Sequence, residues 1–288
     1  MRNRVARRLG AAEESAVAAA LATARFEVLP TPTIAEKVYG ALPRGTTVTV
    51  TASPSRGIEA TIALACELAE SGYDAVPHLA ARMVPGPGRL GVLVDRLLQA
   101  GVRKVFVPGG DAIEQTHYPD ALALLGELTA LGSPFVQVGI AGYPESHPTI
   151  SDDLTIQAMW DKRNHATHIV SNLTFDPGVL STWVRRLRVR GVTLPVILGV
   201  PGPVDRAKLL GVATKIGVGD STRFLVKQKG VMARLVAPGV FSGEWLVTRC
   251  AGLIADPAAA VAGLHLYTFN QIAEAEEWRQ DWLARLSG

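Results

Sequence analysis

Only two of the 288 residues are cysteine, Cys66 and Cys250, far apart and each among apolar neighbours. No Cys-x-x-Cys pair or other metal spacing accompanies them, so there is no disulfide framework or zinc module to read. Two reduced, packed thiols in a cytoplasmic protein are expected instead. Apolar runs approaching the roughly 18 residues of a membrane span are also missing. The first ten residues carry Arg2, Arg4, Arg7 and Arg8 but no hydrophobic signal stretch, and Glu13 and Glu14 follow at once. Residues 1–22 therefore read as a solvated basic arm leading into a helix rather than a targeting peptide. Charge of one sign is scarce: 29 Lys and Arg stand against 26 Asp and Glu, dispersed along the chain. Nucleic acid, which wants a clustered basic face, is not an expected partner. A soluble enzyme with an anionic small-molecule substrate fits better.

Several motifs are absent as well. Neither a Walker loop nor a Gly-x-Ser-x-Gly elbow occurs. His165 and His168 stand three apart, but the second enters a strand and no third ligand is spaced to complete a site, so no metal is expected. Gly86-Pro87-Gly88-Arg89-Leu90-Gly91 matches a dinucleotide fingerprint by its letters. The preceding strand ends several residues too early, and a loop opening a helix is the simpler reading. Gly217-Val218-Gly219-Asp220-Ser221 reads as a turn with Asp220 as N-cap.

What is present is alternation. Short runs rich in Val and Ile, at 24–29, 46–52, 75–79, 104–108, 135–140, 167–172, 195–200 and 263–269, predict strands. Amphipathic segments at 34–42, 58–70, 90–100, 119–131, 152–163, 178–190 and 205–216 predict helices between them, with a closing helix at 271–286. Extra helix is expected within 220–255. Strands this apolar suit a parallel sheet covered on both faces. Eight of them make either a closed barrel or an open doubly wound sheet. The unusual residues fall at strand ends along the whole chain, whereas an open sheet would gather them at one switch point. The reading is therefore a single α/β domain, a (βα)8 TIM barrel over residues 23–288, with no appended regulatory domain.

Polar residues just past barrel strands build the active face. In order they are Glu27, Ser53 and Ser55, His78, Asp111, Tyr143 with Glu145 and His147, Asn172, and Tyr267 with Asn270. Glu27 is a carboxylate among apolar side chains at the end of a buried strand, an environment that favours a proton near neutral pH. The alternative is a glutamate paired with Arg25, Lys37 or another base at the barrel mouth. Asp111 follows two glycines, which let backbone approach a ligand closely; an N-cap or Asx-turn is its alternative. His78 and His147, taken alone, are more often satisfied structural residues than ligands, though their strand-end positions raise the odds of a functional role.

Six of these segments, in order, resemble the strand-end motifs of methylenetetrahydrofolate reductases. They are Phe26-Glu27-Val28-Leu29-Pro30, Val76-Pro77-His78-Leu79, Gly110-Asp111, Gly142-Tyr143-Pro144-Glu145-Ser146-His147-Pro148, Ser171-Asn172-Leu173-Thr174-Phe175-Asp176 and Leu264-His265-Leu266-Tyr267-Thr268-Phe269-Asn270. The resemblance implies an oxidoreductase of one-carbon metabolism that reduces a methylene bridge on tetrahydrofolate to a methyl group, as in methionine biosynthesis. It implies Glu27 as the general acid toward N10 and Asp111 as the stabiliser of the resulting iminium cation. Asn172 stands where the family has a glutamine on the pterin, and Tyr267 also falls to the substrate.

The resemblance thins where the family holds FAD. Pro108-Gly109-Gly110 replaces an arginine before Gly-Asp, Lys162 is one residue out of register, Asp152 and Asp153 are displaced, and the aromatic run after Asn172 shrinks to Leu173-Thr174-Phe175. His78, Tyr143 and His147 remain. The expectation is a flavin-free branch in which NADH or NADPH gives hydride directly. His78, Tyr143 and His147 would line the nicotinamide, and Ser55 or Arg82 would meet its phosphates. Two other readings are a non-catalytic folate-binding paralogue and a barrel oxidoreductase acting on another cyclic amine.

Overall fold

The computed structural model describes residues 8–110, 117–144, 152–205, 240–241 and 243–287. Eight parallel strands form one sheet: β1 (Arg25–Val28), β2 (Thr47–Val50), β3 (Asp74–Pro77), β4 (Lys104–Val107), β5 (Gln137–Gly142), β6 (His168–Ser171), β7 (Val196–Pro201) and β8 (Val261–Tyr267). Their spatial order is β3-β2-β1-β8-β7-β6-β5-β4, so each strand lies beside its neighbours in sequence and β8 returns to β1. The two ends of that series meet through a parallel bridge between His78 and Phe106, joined by the Leu79 N–H donating to Phe106 O at 2.8 Å. An open doubly wound sheet would reverse its order partway. This one does not, and the molecule is the nearly closed (βα)8 barrel that the alternation predicts.

Helices α1 (Ala11–Ala22), α2 (Ile34–Ala41), α3 (Gly57–Glu70), α4 (Pro87–Gln99), α5 (Ala121–Ala130), α6 (Asp152–Lys162), α7 (Pro177–Val189), α8 (Glu244–Ala255) and α9 (Ile272–Ser287) pack outside. Their ends follow local chemistry. Asp120 caps α5 by accepting from Ala123 N at 2.9 Å. Asp176 caps α7, with Pro177 supplying a preset φ at the first position. After α4 and α7 the chain turns through Gly101 and Gly191 in left-handed conformations, φ +87° and +76°, which a side chain would resist. The N-terminal α1 lies against α8 and α9. There Arg279, itself buried and paired with Glu276 at 2.7 Å, donates to Leu21 O at 3.2 Å and closes the end of α1.

Two sequence expectations shift. Strand five begins at Gln137, not 135, and runs on to Gly142; Pro134 precedes it and Val136 is two-thirds exposed, so the ladder starts only where both faces are covered. The expected helix from 205 begins instead as extended chain: Val204–Asp205 pairs antiparallel with Val240–Phe241. Pro201 and Pro203 flank Gly202 there and oppose helical conformations before each of them. The remainder of that expected helix, and the turn at 217–221, lie outside the described residues. Gly86 is the N-cap of α4, so the fingerprint-like glycines do open a helix.

Parity decides what the barrel contains. Residues paired across parallel strands share a face, so Arg25 and Glu27 look inward with Thr47 and Thr49 on one side and His265 and Tyr267 on the other. Phe26 and Val28, fully buried, look outward to the helices. Gly199 belongs to the inner set: a Cβ there would stand 2.2 Å from Ser171 O and 2.7 Å from Tyr267 Cε2. Gly199→Ala is expected to cost about 1–3 kcal/mol through overpacking, whereas Gly91→Ala, in an open stretch of α4, is expected to add about 0.5–1 kcal/mol. Urea titrations of the two variants check both signs.

Candidate active site

Glu27 is the third residue of β1 and its Cα partners are Tyr267 and Thr49. Its Oε2 lies 3.1 Å from His265 Nε2 and 3.8 Å from His78 Nε2. The carboxyl keeps 14% of its surface open. Among the described residues it has no Arg or Lys partner. The expected alternative of a pair with Arg25 fails for a geometric reason: Arg25 lies two residues back along β1 and serves another cluster. Its Nη1 donates to His168 Nε2 at 2.7 Å and its Nη2 reaches Gln137 Oε1 at 3.5 Å. Lys104 Nζ and Thr47 Oγ1 both donate to Asp74 Oδ2 at 2.7 Å. The inner charges on β1 thus stand in two layers, a guanidinium below and a carboxyl above.

His78 follows β3 and sits where the barrel closes, its ring 4.6 Å from that of Phe106. Burial drives its imidazole down to about 4, only partly opposed by the Glu27 charge. Tyr267 ends β8. Its hydroxyl donates to Ser171 O at 3.2 Å, and its ring meets His265 edge-on at 4.8 Å. Burial raises the phenol well above its ordinary value, and the charges of Glu27 and Tyr143 add to the rise. Tyr143, half-buried just past β5, therefore lies within electrostatic reach of Tyr267. Asn172, exposed after β6, turns its Oδ1 onto Leu173 N at 2.8 Å. The structure thus brings Glu27, His78 and Tyr267 together, with Tyr143 and Asn172 on the same rim.

Ser55 and Arg82 are further out. Ser55 Oγ lies 3.0 Å from Ser53 Oγ in the exposed loop after β2. Arg82 Nε donates to Pro119 O at 3.1 Å, holding the turn after β3 against the approach to α5. Asp111, Glu145 and His147 lie outside the described residues; the chain before Asp111 is described to Gly110. Gly109 O and Pro108 O accept from Arg82 N and Ala81 N at 3.0 Å each, so the loops after β3 and β4 are stitched together. A Cβ on Gly110, φ +86°, would come within 3.0 Å of Ala80. This rim is backbone packed on backbone, with no cation projecting from 108–110.

His265 is the site residue that the strand-end reading passed over. It sits two residues before the end of β8 rather than past it. The available signal was parity: His265 shares the face of Tyr267, between outward Leu264 and Leu266. His165 and His168 do not converge on a common ligand, since His165 Nδ1 meets Thr129 Oγ1 at 2.7 Å and His168 faces Arg25. Burial and the Arg25 charge hold the His168 imidazole down at about 3.

A family model described as methylenetetrahydrofolate reductase matches residues 32–277. "Methylenetetrahydrofolate reductase 1" of Schizosaccharomyces pombe is 25% identical over 199 residues, which cover 62% of this chain and 30% of that protein. A Caenorhabditis elegans protein named "Probable methylenetetrahydrofolate reductase (NADPH)" is 23% identical over 175 residues, 59% of this chain and 26% of that one. The matches thus span less than a third of these curated relatives. A solved structure described as the "apo-form of a putative deoxyribose-phosphate aldolase from Toxoplasma gondii ME49" superposes with a TM-score of 0.49 at 11% identity, over 95% of this chain and 97% of that one.

Two of the buried histidines, His78 and His168, set a pH dependence. Each is neutral when folded and ordinary, near 6.5, when unfolded. The unfolded chain therefore binds more protons as pH falls below 6.5, and stability is lost progressively down to about 4 for His78 and about 3 for His168. Above 6.5 neither contributes a slope. Urea midpoints measured from pH 7 to pH 4 are expected to fall more steeply in wild type than in a His78→Gln, His168→Gln double variant.

Proposed function

Because the chain belongs to the methylenetetrahydrofolate reductase family, we propose that it reduces 5,10-methylenetetrahydrofolate to 5-methyltetrahydrofolate with hydride from NADH or NADPH. The observation that carries the reading is Glu27: a carboxyl inside the mouth of the barrel, touched by two imidazoles and bonded to no cation among the described residues. A carboxylate locked to arginine is a poor proton donor. This one has no such lock.

Glu27 gives its proton to N10 of the substrate, the five-membered ring opens, and an iminium cation remains at N5. Asp111, four residues past the end of β4 in the chain, steadies that charge as it forms. The nicotinamide nucleotide supplies the hydride that reduces the iminium carbon. The substrate atoms balance with one proton from Glu27 and one hydride, and Glu27 recovers its proton from water. Tyr267 and the Asn172 amide flank the pterin. His78, neutral through burial, offers a face rather than a charge and with Tyr143 and His147 lines the nicotinamide side. Ser55 and Arg82 stand nearest the phosphates on the β2 and β3 rim.

A flavin dinucleotide fits the described residues less well. The resemblance places an arginine before Gly-Asp in the flavin-holding members, and Pro108-Gly109-Gly110 supplies no cation there. No step is assigned to it. Direct transfer from the nicotinamide is the reading this rim supports. The pure protein is expected to be colourless above 400 nm and to oxidise NADH or NADPH without added FAD; a yellow protein that needs FAD would refute direct transfer.

Glu27→Gln is expected to lower kcat by about 10²- to 10⁴-fold, the usual share of a general acid, while methylenetetrahydrofolate still binds. Steady-state rates together with a titration of folate binding check it. Turnover at the wild-type rate would remove Glu27 from the mechanism.

A further inference from the structure

His265 is held differently from His168, the barrel histidine beside Arg25. His168 uses both ring nitrogens: Nε2 accepts from Arg25 and Nδ1 lies 2.9 Å from Thr167 Oγ1. Arginine can only donate, so that tautomer is determined. Among the described residues His265, its side chain 3% exposed, has a single hydrogen-bond contact, from Nε2 to Glu27 Oε2 at 3.1 Å. Its Nδ1 is buried and has no partner among the described residues. Buried polar groups that serve packing are as a rule hydrogen-bonded. This ring makes its one polar contact with the carboxyl.

From this geometry we propose that His265 is a positioning residue for Glu27, donating its Nε2 proton to Oε2 so that the acidic proton stands on Oε1. The proposal rests on the reading of Glu27 as the general acid. The two neutral tautomers have different consequences. A proton on Nδ1 would leave a buried N–H with no acceptor, a rare and costly state. The bare Nε2 would then draw the Glu27 proton onto Oε2, between two imidazoles and away from substrate. A proton on Nε2 leaves only an unpaired lone pair at Nδ1 and makes Oε2 the accepting oxygen. Oε1, which has no partner among the described residues, is then the oxygen that carries the proton.

The same contact has a direction in energy. As the proton leaves Glu27, Oε2 gains negative charge, and a hydrogen bond to an ionised acceptor is stronger than one to a neutral acceptor. The His265 interaction therefore grows toward the transition state, which is the kind that raises kcat rather than lowering KM. His78 does not share this role. Its Nε2 is 3.8 Å from Oε2, beyond hydrogen-bond distance, and that nitrogen is also unpartnered. It bounds the carboxyl on the β3 side.

His265→Leu removes the donor at comparable bulk, and His265→Gln keeps an N–H near the Nε2 position. With methylenetetrahydrofolate and NADH or NADPH, the Leu variant is expected to lose roughly 10- to 100-fold in kcat while KM for the folate stays within about twofold. The Gln variant is expected to recover kcat to within about fivefold of wild type. A Leu variant as fast as wild type, or equal losses in both variants, would overturn the proposal. Nitrogen-15 spectra of the wild-type protein give a readout that needs neither variant activity nor turnover: the His265 ring proton is expected on Nε2, and a proton on Nδ1 would overturn the proposal. Glu27→Gln separates the two ideas. If it turns over normally, the acid reading itself falls; if it is inactive while His265→Leu is fully active, only the positioning role falls.

Discussion

A closed parallel barrel turns every second side chain of each strand inward, and an inward charge has no helix and little water to answer it. Neighbouring strands must do so. On β1 this happens twice, with opposite signs. Arg25 below and Glu27 above both face inward, yet they do not pair with each other. Each is answered by a histidine from another strand, His168 from β6 and His265 from β8. Imidazole suits both tasks because one neutral ring can accept from a guanidinium and another can donate to a carboxyl. Everything at the barrel mouth depends on that separation. A direct Arg25–Glu27 ion pair would have left a buried carboxylate tied to its cation.

The layer above the cations is shaped by small residues as much as by polar ones. Gly199 lets the Tyr267 ring and the end of β6 come closer than any Cβ would allow. The Gly199 N–H donates to Ser171 Oγ at 2.8 Å, and Tyr267 donates to Ser171 O. Three strands, β6, β7 and β8, are thus locked around the tyrosine that flanks Glu27. On the opposite side the barrel closes through His78 and Phe106, so one residue both completes the sheet and borders the carboxyl. Geometry at the site is inherited from the closure of the fold, which is the stiffest support a side chain can have.

The surrounding rim is looser in design. The loops after β3 and β4 are joined by backbone bonds, and Gly110 packs its backbone against Ala80. The methylenetetrahydrofolate reductase family model matches residues 32–277, a span that holds strand ends three, six and eight, with Glu27 just before it.

Alternation of apolar strands with amphipathic helices, eight times over, narrowed the fold to a closed barrel or an open doubly wound sheet, and the spread of unusual residues over all the strand ends pointed to the barrel. The polar residues at strand ends were legible for the same reason: loops past parallel strands face one rim. Strand five and the segment at 204–205 were less legible, since short apolar runs next to proline do not show where ladder pairing begins. What local sequence could not decide was partnership. Arg25 is two residues from Glu27 in the chain, yet bonds across the barrel to His168, 143 positions away; His265, 238 positions from Glu27, is its neighbour in space. Only closure of the sheet sets which strands face one another, and so only the tertiary structure could turn an isolated carboxyl into a carboxyl with an imidazole beside it.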